Sequence, residues 1–338
     1  ELISDACRGK SAAVVTNAKI GALYADRLVD ALGAAGISAR VIAVPPGERY
    51  KTLHTVARVY EQLLDMKLDR GGIVIGLGGG IVGDMSGFVA ATYLRGIDFV
   101  QVPTSLLAQV DASVGGKTGV NLSRGKNMVG AFHQPGLVLI DLATLRSLPR
   151  REFRCGLAEV IKHAIIRDGD YFDFVERNLP DIMRLEPAAL EHTVERSCEI
   201  KADVVRRDER ESGLRRILNY GHTVAHAVES LTGYRKYKHG EAVAIGMVTA
   251  ALVARVRGSA DTGMVERIVR LVSNAGLPTS LPDSVGDREI LAAMGHDKKV
   301  AHGKLHAVLS DRIGSAQVVD DVTSDHWLEA MQAQRDIA

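Results

Sequence analysis

Three histidines and one glutamate in the second half of the chain have the types and spacing of a divalent metal site. In NYGHTVAHAVE, His222 and His226 are four residues apart, so they share one face of a predicted helix. His239 opens another predicted helix, and the apolar segment GLAEVIKHAII carries Glu159 with Lys162 three residues on. Two histidines and one glutamate with an open coordination position are typical of a catalytic zinc centre or a similar site. Spacing alone leaves open whether His226 or His239 pairs with His222, and also allows a solvated helix face.

A glycine-rich run, GGIVIGLGGGIVGDMSGF at residues 71–88, predicts a diphosphate-binding turn. Glycines let the backbone approach an anion, and the N–H groups at the start of the following helix point at it. The spacing from Gly78 to Gly83 satisfies G-x-G-x-x-G. However, the next strand ends in Thr104 and Ser105 and not in the acidic residue that contacts a ribose. By itself, the motif is equally consistent with a tight strand-to-helix turn without a ligand.

Residues 110–135 form a polar, glycine-rich segment between two apolar strands, which predicts a binding loop. The segment carries Asp111, Lys117, Lys126 and Asn127. Lysines among glycines favour an anionic ligand over a merely solvated loop. Further candidate anion contacts in the second half are Lys201, Arg215, Asn219, Lys298 and Lys299. Each of these residues, taken singly, is more often a surface group.

Composition excludes several classes of protein. The chain has 338 residues, 46% of them hydrophobic, which is enough for two domains. The formal net charge of +1 argues against nonspecific binding to nucleic acid or to a membrane surface. No apolar run approaches the roughly 20 residues that span a bilayer. The three cysteines lack C-x-x-C spacing, so neither a disulfide framework nor a thiolate zinc site is indicated, and we expect a cytoplasmic protein. Because the sequence does not begin with Met, we expect that residues precede it.

The hydrophobic periodicity changes near residue 150. Before that point, short β-branched runs alternate with helical patterns, which is typical of parallel α/β units. After it, apolar residues recur at three- and four-residue spacing. We therefore predict an α/β, Rossmann-like N-terminal domain at residues 1–150 that binds a nucleotide. We predict an all-α C-terminal domain at residues 151–338 that carries the metal and substrate groups.

Seven segments occur in one order along nearly the whole chain: GGGIVGDMSGFVAATYLRG, QVPTSLLAQVDASVGGKTGVN, GKNMVGAFHQP, GLAEVIKHAII, LNYGHTVAHAVE, KHGEAVAIGM and HDKKV. Together they resemble the 3-dehydroquinate synthase family of sugar-phosphate cyclases. The resemblance implies a homodimeric enzyme of the shikimate pathway, which leads to chorismate and the aromatic amino acids. It implies conversion of 3-deoxy-D-arabino-heptulosonate 7-phosphate to 3-dehydroquinate and phosphate by transient NAD oxidation, phosphate elimination, reduction and intramolecular aldol closure. NAD and one divalent metal ion, zinc or cobalt, are the implied cofactors.

The resemblance also implies a role for individual residues. The matching metal ligands are Glu159, His222 and His239. The matching dinucleotide contacts are Glu48, Lys51, Gly79, Gly80, Asp84, Thr104, Ser105, Leu107, Asp111, Lys117, Lys126, Ser147, Leu148 and Glu152. The matching substrate or catalytic positions are Lys162, His226, Asn219, Lys117, Asn127, Lys201, Arg215, Asp111 and one of Lys298 and Lys299. Arg95 matches an arginine that reaches the phosphate pocket of a neighbouring subunit. Asn17 and Lys19 depart from the family's pattern, which leaves the adenosine contacts open.

Three other functions share parts of this pattern. A sister cyclase acting on sedoheptulose 7-phosphate or glucose 6-phosphate would need no clamp for a carboxylate, which the basic residues of the second half argue against. A metal-dependent alcohol or glycerol dehydrogenase would consume NAD stoichiometrically, and the lysines at residues 117–126 favour a phosphorylated substrate instead. A noncatalytic nucleotide-binding scaffold would be expected to lack some of the metal ligands, which are all present here.

Overall fold

A computed structural model describes residues 2–3, 11–123, 125–295, 300–301 and 304–337. The chain forms two compact units, Glu1–Leu148 and Pro149–Ala338. The first unit is an α/β domain and the second is mainly helical, which confirms the predicted α/β-plus-helical fold class.

The first unit contains a five-stranded parallel sheet with the order β2-β1-β3-β4-β7. The strands of the unit are β1 (Ser11–Asn17), β2 (Ser38–Val44), β3 (Ile73–Gly78), β4 (Asp98–Pro103), β5 (Lys117–Leu122), β6 (Gly125–Phe132) and β7 (Leu137–Val138). Its helices are α1 (Ala18–Ala34), α2 (Leu53–Asp65) and α3 (Gly80–Thr92).

Successive side chains of the central strands enter two different cores. Val14 and Ile75 pack in a cluster with residues of α1, whereas Val15 and Val74 pack in a second cluster with residues of α2 and α3. This alternation follows from the two-residue period of a strand. Both faces of the sheet are therefore covered, which explains why β3 is buried along its whole length.

The segment predicted as a binding loop at residues 110–135 includes an antiparallel hairpin of β5 and β6. The prediction of a loop was therefore wrong for these residues, although Lys117, Lys126 and Asn127 are exposed. A Cβ atom on Gly130 would lie 2.1 Å from the carbonyl oxygen of Thr118, and one on Gly119 would lie 2.6 Å from that of Val129. The glycines that suggested a loop instead allow the two strands to approach closely.

The helices of the second unit account for most of its residues. They are α4 (Arg150–Arg167), α5 (Gly169–Arg184), α6 (Pro187–Arg207), α7 (His222–Leu231), α8 (His239–Val256), α9 (Thr262–Asn274), α10 (Asp287–Gly295) and α11 (Ser324–Arg335). The unit is nevertheless not helical throughout. Its short strands are β8 (Val300–Ala301), β9 (Lys304–Leu305), β10 (Ala307–Arg312) and β11 (Ser315–Val319), which pair as two antiparallel hairpins. These strands are so short that the helical periodicity of the surrounding sequence masked them.

The apolar helix α8 forms the centre of the second unit. It is long and apolar enough to match a membrane span, with a mean hydropathy of 1.3, but 78% of that 18-residue window is buried inside the protein. Within the unit, α8 packs against α4, α7 and α11. A helix that is apolar on all sides is expected at the core of a domain of this size.

Three glycines allow the backbones of α4, α7 and α8 to touch. A Cβ atom on Gly240 would lie 2.2 Å from the carbonyl oxygen of Cys155 on α4. One on Gly246 would lie 1.9 Å from the carbonyl oxygen of Gly221, which precedes α7. Gly221 itself has a φ of 78°, a conformation that favours glycine. No side chain separates these helices at their contacts, so their spacing is fixed by backbone atoms.

We predict that Gly246→Ala destabilises the second unit by about 3 kcal/mol, because the added methyl group would overlap the Gly221 carbonyl and force α7 away from α8. Urea unfolding of the metal-free protein would measure the loss. Gly263→Ala on α9 is the matched control, because its Cβ would approach no heavy atom closer than 3.4 Å. Equal stability of the two variants would contradict this account of the helix contact.

Candidate active site

Glu159, His222 and His239 present ligand atoms to one point in the second unit. Oε1 of Glu159 lies 3.8 Å from Nε2 of His222 and 3.7 Å from Nε2 of His239. Two ligand atoms at about 2.0–2.1 Å from a tetrahedral zinc ion are about 3.3 Å apart. A contraction of a few tenths of an ångström would therefore bring the carboxylate oxygen to this separation from each of the two histidine nitrogens. The three residues form a candidate site for a divalent metal ion.

The local hydrogen bonding of His222 suits metal binding. Its Nδ1 lies 3.2 Å from the carbonyl oxygen of Tyr220. Because a carbonyl only accepts hydrogen bonds, Nδ1 carries the proton and Nε2 keeps its lone pair. The neutral tautomer that can bind a metal through Nε2 is thus fixed by the turn that precedes α7.

The carboxylate of Glu159 is completely buried on α4, and Lys162 one turn later is only 2% exposed. The two side chains form an ion pair. Buried charges need partners of opposite sign, and a buried carboxylate that faces two imidazole nitrogens is suited to bind a cation together with them. Helix α4 therefore carries the candidate metal ligand Glu159 and the buried Lys162 on one face.

His226 and Cys155 lie near this cluster but differ from its members. The ring of His226 lies 5.7 Å from that of His222 and perpendicular to it, and its nitrogens do not join the group formed by Glu159, His222 and His239. The structure therefore pairs His222 with His239, the alternative that spacing left open. Burial raises the pKa of the Cys155 thiol to about 12, which keeps it neutral and a poor metal ligand.

A tight turn after α6 holds Arg215 in a buried position. The carboxylate of Asp208 accepts hydrogen bonds from the backbone N–H groups of Ser212 (2.9 Å), Gly213 (2.7 Å) and Arg215 (3.0 Å). The N–H groups of Arg215, Gly213 and Ser212 hold the pKa of Asp208 well below its usual range. Arg215 is only 2% exposed, and its guanidinium donates to the carbonyl oxygen of Glu209. Sequence reasoning missed Asp208, which no motif singled out.

The other predicted residues of the second unit occupy different settings. Lys201 is buried on α6, and Asn219 donates from Nδ2 to Oε1 of Glu211 at 2.6 Å. Glu152 lies in the first turn of α4 and pairs with Lys238 at 2.9 Å. Lys298 and Lys299 lie outside the described residues.

The glycine-rich run of the first unit forms a short turn between a strand and a helix. Strand β3 ends at Gly78, and α3 begins at Gly80 after the single residue Gly79. A Cβ atom on Gly83 would lie 2.8 Å from Oε1 of Gln101 on β4, so this glycine allows α3 to pack closely on the sheet. The first N–H groups of α3 therefore open directly at the carboxyl end of the sheet, where α/β folds bind phosphates.

Lys51 joins three parts of the first unit. Its ammonium group, which is 3% exposed, lies 2.5 Å from Oδ2 of Asp84 on α3 and 2.5 Å from Oδ1 of Asn127 on β6. Asn121 continues the network, because it accepts from the N–H group of Asn127 at 2.8 Å and donates to Glu48 at 2.7 Å. Four residues predicted from the resemblance thus contact one another through Lys51 and Asn121.

The remaining predicted positions of the first unit are spread along its elements. Thr104 and Ser105 follow β4, Leu107 precedes a π-helical turn that contains Asp111, and Lys117 and Lys126 lie on the hairpin. Ser147 bonds to the hydroxyl of Tyr24 at 2.6 Å, and Leu148 follows it. Asn17 caps α1, because its side chain accepts from the N–H group of Ile20 at 3.1 Å. Arg95 is exposed, with a φ of 71° next to Leu94 with a φ of 49°.

Comparison with known proteins identifies the class of this fold. 2-epi-5-epi-valiolone synthase from Streptomyces hygroscopicus subsp. jinggangensis, solved with NAD+ and Zn2+ bound, is 28% identical with a TM-score of 0.92 over 100% of this chain and 94% of that chain. A 2-deoxy-scyllo-inosose synthase solved with carbaglucose-6-phosphate, NAD+ and Co2+ is 26% identical with a TM-score of 0.88 over 97% of this chain and 92% of that chain. The fold is that of the sugar-phosphate cyclases.

Sequence comparison assigns the family within this class. The family model described as "3-dehydroquinate synthase N-terminal" matches residues 41–155. The model described as "3-dehydroquinate synthase C-terminal" matches residues 156–300. The 3-dehydroquinate synthase of Desulforamulus reducens is 52% identical over 95% of this chain and 89% of that protein. The chain belongs to the 3-dehydroquinate synthase family, which confirms the resemblance found in its sequence.

We predict that His239→Ala lowers the affinity for zinc by more than about 100-fold, because even the loss of a group that only orients a ligand costs 10–100-fold. The fold should persist, since the side chain of His239 is 36% exposed. Metal content after gel filtration and the circular dichroism spectrum would test both expectations. His226→Ala is the control and should keep its zinc, whereas stoichiometric zinc in the His239 variant would disprove its role as a ligand.

Proposed function

We propose that this chain is a 3-dehydroquinate synthase, which converts 3-deoxy-D-arabino-heptulosonate 7-phosphate to 3-dehydroquinate and phosphate. The observation that carries the proposal is the complete Glu159, His222 and His239 cluster with the buried cation Lys162 beside it, in a chain that is 52% identical to a curated 3-dehydroquinate synthase. This carbon–oxygen lyase acts in the shikimate pathway, which supplies chorismate and the aromatic amino acids.

Two cofactors fit the donor groups described above. When bound, NAD supplies a hydride acceptor for the C5 alcohol of the substrate, and the divalent metal, zinc or cobalt, supplies a Lewis acid for that hydroxyl. We assign the metal to Glu159, His222 and His239. The support for this assignment is that Nε2 of each histidine faces the buried carboxylate, and that the Nδ1 proton of His222 is held by a carbonyl.

The buried cations of the second unit suit a substrate with two anionic groups. A carboxylate and a phosphate are bound most strongly by guanidinium and ammonium groups that are already desolvated and held in place. We assign Arg215 and one of Lys298 and Lys299 to the carboxylate, and Lys162 to positioning the substrate beside the metal. Arg215 is suited to this role because the Asp208 turn fixes its backbone before any ligand arrives.

Few of the polar groups need to act as dedicated acids or bases. We assign proton handling to His226, with Asn219 nearby, and substrate contacts to Asp111, Lys117, Asn127 and Lys201. Most of the rate enhancement would then come from holding one conformer of the substrate among positioned charges.

We propose that the first unit supplies most of the NAD contacts and that the second supplies the metal ligands and most of the substrate contacts. The assigned NAD contacts are Glu48, Lys51, Gly79, Gly80, Asp84, Thr104, Ser105, Leu107, Asp111, Lys117, Lys126, Ser147, Leu148 and Glu152. The strand-to-helix turn at Gly79 supports a diphosphate at the start of α3, and the Lys51 network supports a site organised before the cofactor binds. Since Glu48 would repel a 2′-phosphate, the proposal specifies NAD and not its phosphorylated form.

The protein's setting is also proposed. We propose a cytoplasmic location, because the three cysteines lack the C-x-x-C spacing of a redox or thiolate metal site and indicate no disulfide framework. We propose a homodimer in which Arg95 contributes to the phosphate pocket of the other subunit. The exposed position of Arg95 and its left-handed backbone next to Leu94 support this role, because such strain of about 1–3 kcal/mol per residue is often retained at functional sites.

Phosphate release tests the reaction. Purified protein with zinc and catalytic NAD should release phosphate from 3-deoxy-D-arabino-heptulosonate 7-phosphate, form 3-dehydroquinate and accumulate no NADH. Sedoheptulose 7-phosphate is the control and should release none. Release from the control alone would indicate a sister cyclase, and net NADH formation would indicate a dehydrogenase.

A mixture of inactive subunits tests the dimer. Lys162→Ala should reduce turnover while NAD binding, measured by fluorescence, is preserved, and Arg95→Ala should also reduce turnover. If Arg95 acts on the other subunit, mixing the two variants restores one complete site in each mixed dimer, which gives about one quarter of wild-type activity at random exchange. No recovery after verified subunit exchange would show that Arg95 acts within its own subunit or not at all.

A further inference from the structure

Glu229 places a second carboxylate beside the candidate metal site. It lies on α7, seven residues and two helical turns after His222, and it is 8% exposed. Its Oε2 lies 3.6 Å from Nδ1 of His239. The proposed function gives Glu229 no role, and the sequence motif singled out only the two histidines of this helix.

The ring of His239 lies between two carboxylates. Its Nε2 is 3.7 Å from Oε1 of Glu159, and its Nδ1 is 3.6 Å from Oε2 of Glu229. The two nitrogens of a neutral imidazole differ, because one donates a proton and the other offers a lone pair. When Glu159 and Nε2 hold a metal ion, the lone pair must be at Nε2, and a carboxylate on the Nδ1 side then favours the proton at Nδ1.

His239 needs such a partner more than His222 does. The side chain of His222 is 13% exposed, and its Nδ1 is held by a backbone carbonyl. The side chain of His239 is 36% exposed and belongs to the first residue of α8. A ring so close to solvent can rotate about its χ angles unless a neighbouring group holds it.

We propose that Glu229 is a positioning residue that accepts a hydrogen bond from Nδ1 of His239 and thereby fixes the tautomer, orientation and basicity of this ligand. The inference rests on the proposed metal site. A movement of about 0.5 Å brings the 3.6 Å separation into hydrogen-bond range. The two histidine ligands are then oriented by different means, His222 by a carbonyl of its own turn and His239 by a carboxylate from another helix.

The arrangement also links two helices through the metal site. Glu229 and His222 belong to α7, whereas His239 belongs to α8. A hydrogen bond from His239 to Glu229 therefore joins α8 to the helix that supplies the other histidine. Carboxylate partners of this kind raise the basicity of a metal-bound imidazole, and their loss costs 10–100-fold in metal affinity.

The test compares zinc binding by Glu229→Ala, Glu229→Gln and Val228→Ala in the full-length protein, without NAD or substrate. Competition with a chromophoric chelator measures the dissociation constant, and the visible absorption of the cobalt-substituted protein reports ligand geometry. Val228 is the matched control, because it is fully buried on the same helix next to Glu229. Urea unfolding of each metal-free variant separates metal binding from stability.

We expect Glu229→Ala to weaken zinc binding by about 10–100-fold and to change the cobalt spectrum. Glu229→Gln should give a smaller loss, since its amide oxygen still accepts a hydrogen bond but carries no charge. This variant keeps the shape of the side chain and serves if the alanine variant does not fold. Val228→Ala should lower stability while its zinc affinity stays within about threefold of wild type.

Two results would overturn the inference. Wild-type zinc affinity and cobalt spectra in both Glu229 variants would show that the carboxylate does not orient His239. An equal loss of affinity in Val228→Ala would show that Glu229 acts only by stabilising α7. Failure of the wild-type protein to bind zinc would instead disprove the metal site itself, and with it both proposals.

Discussion

The contact of three helix backbones is the constraint on which the candidate metal site depends. Gly240 touches Cys155 one helical turn before Glu159, and Gly246 touches the residue that precedes His222. Each candidate metal ligand therefore lies within one helical turn of a backbone contact that has no intervening side chain. Protein interiors transmit displacements because they are close-packed, so a methyl group at such a contact changes the separation of the ligand atoms.

The buried carboxylate at this site favours a cation that interacts strongly with it. Glu159 is fully buried, and its ion pair with Lys162 balances one charge with one charge. Burying such a pair in an apolar helix is costly compared with apolar residues of similar size. The cost is explained if the pair takes part in the reaction, in which the carboxylate binds the metal and the ammonium group binds an anionic substrate.

The first unit uses a comparable strategy without a metal. Lys51 is buried between Asp84 and Asn127, so α3 and the β5–β6 hairpin are tied together next to the glycine turn. The turn supplies backbone N–H groups and the network fixes the polar side chains around it. Both units thus hold their functional groups through buried contacts made before a ligand binds, which lowers the entropy lost on binding.

The sequence by itself determined the fold class and the family, because periodicity, glycine spacing and seven ordered segments are local signals. Helical spacing alone did not decide whether His226 or His239 pairs with His222, although the family resemblance implied His239. In the structure, the packing of α7 against α8 brings Nε2 of His222 and Nε2 of His239 to the same carboxylate oxygen of Glu159. The hairpin of β5 and β6 was mistaken for a loop because its glycines serve strand contact. Glu229 and Asp208 became visible only in the tertiary structure, because their roles depend on groups that other segments bring to them.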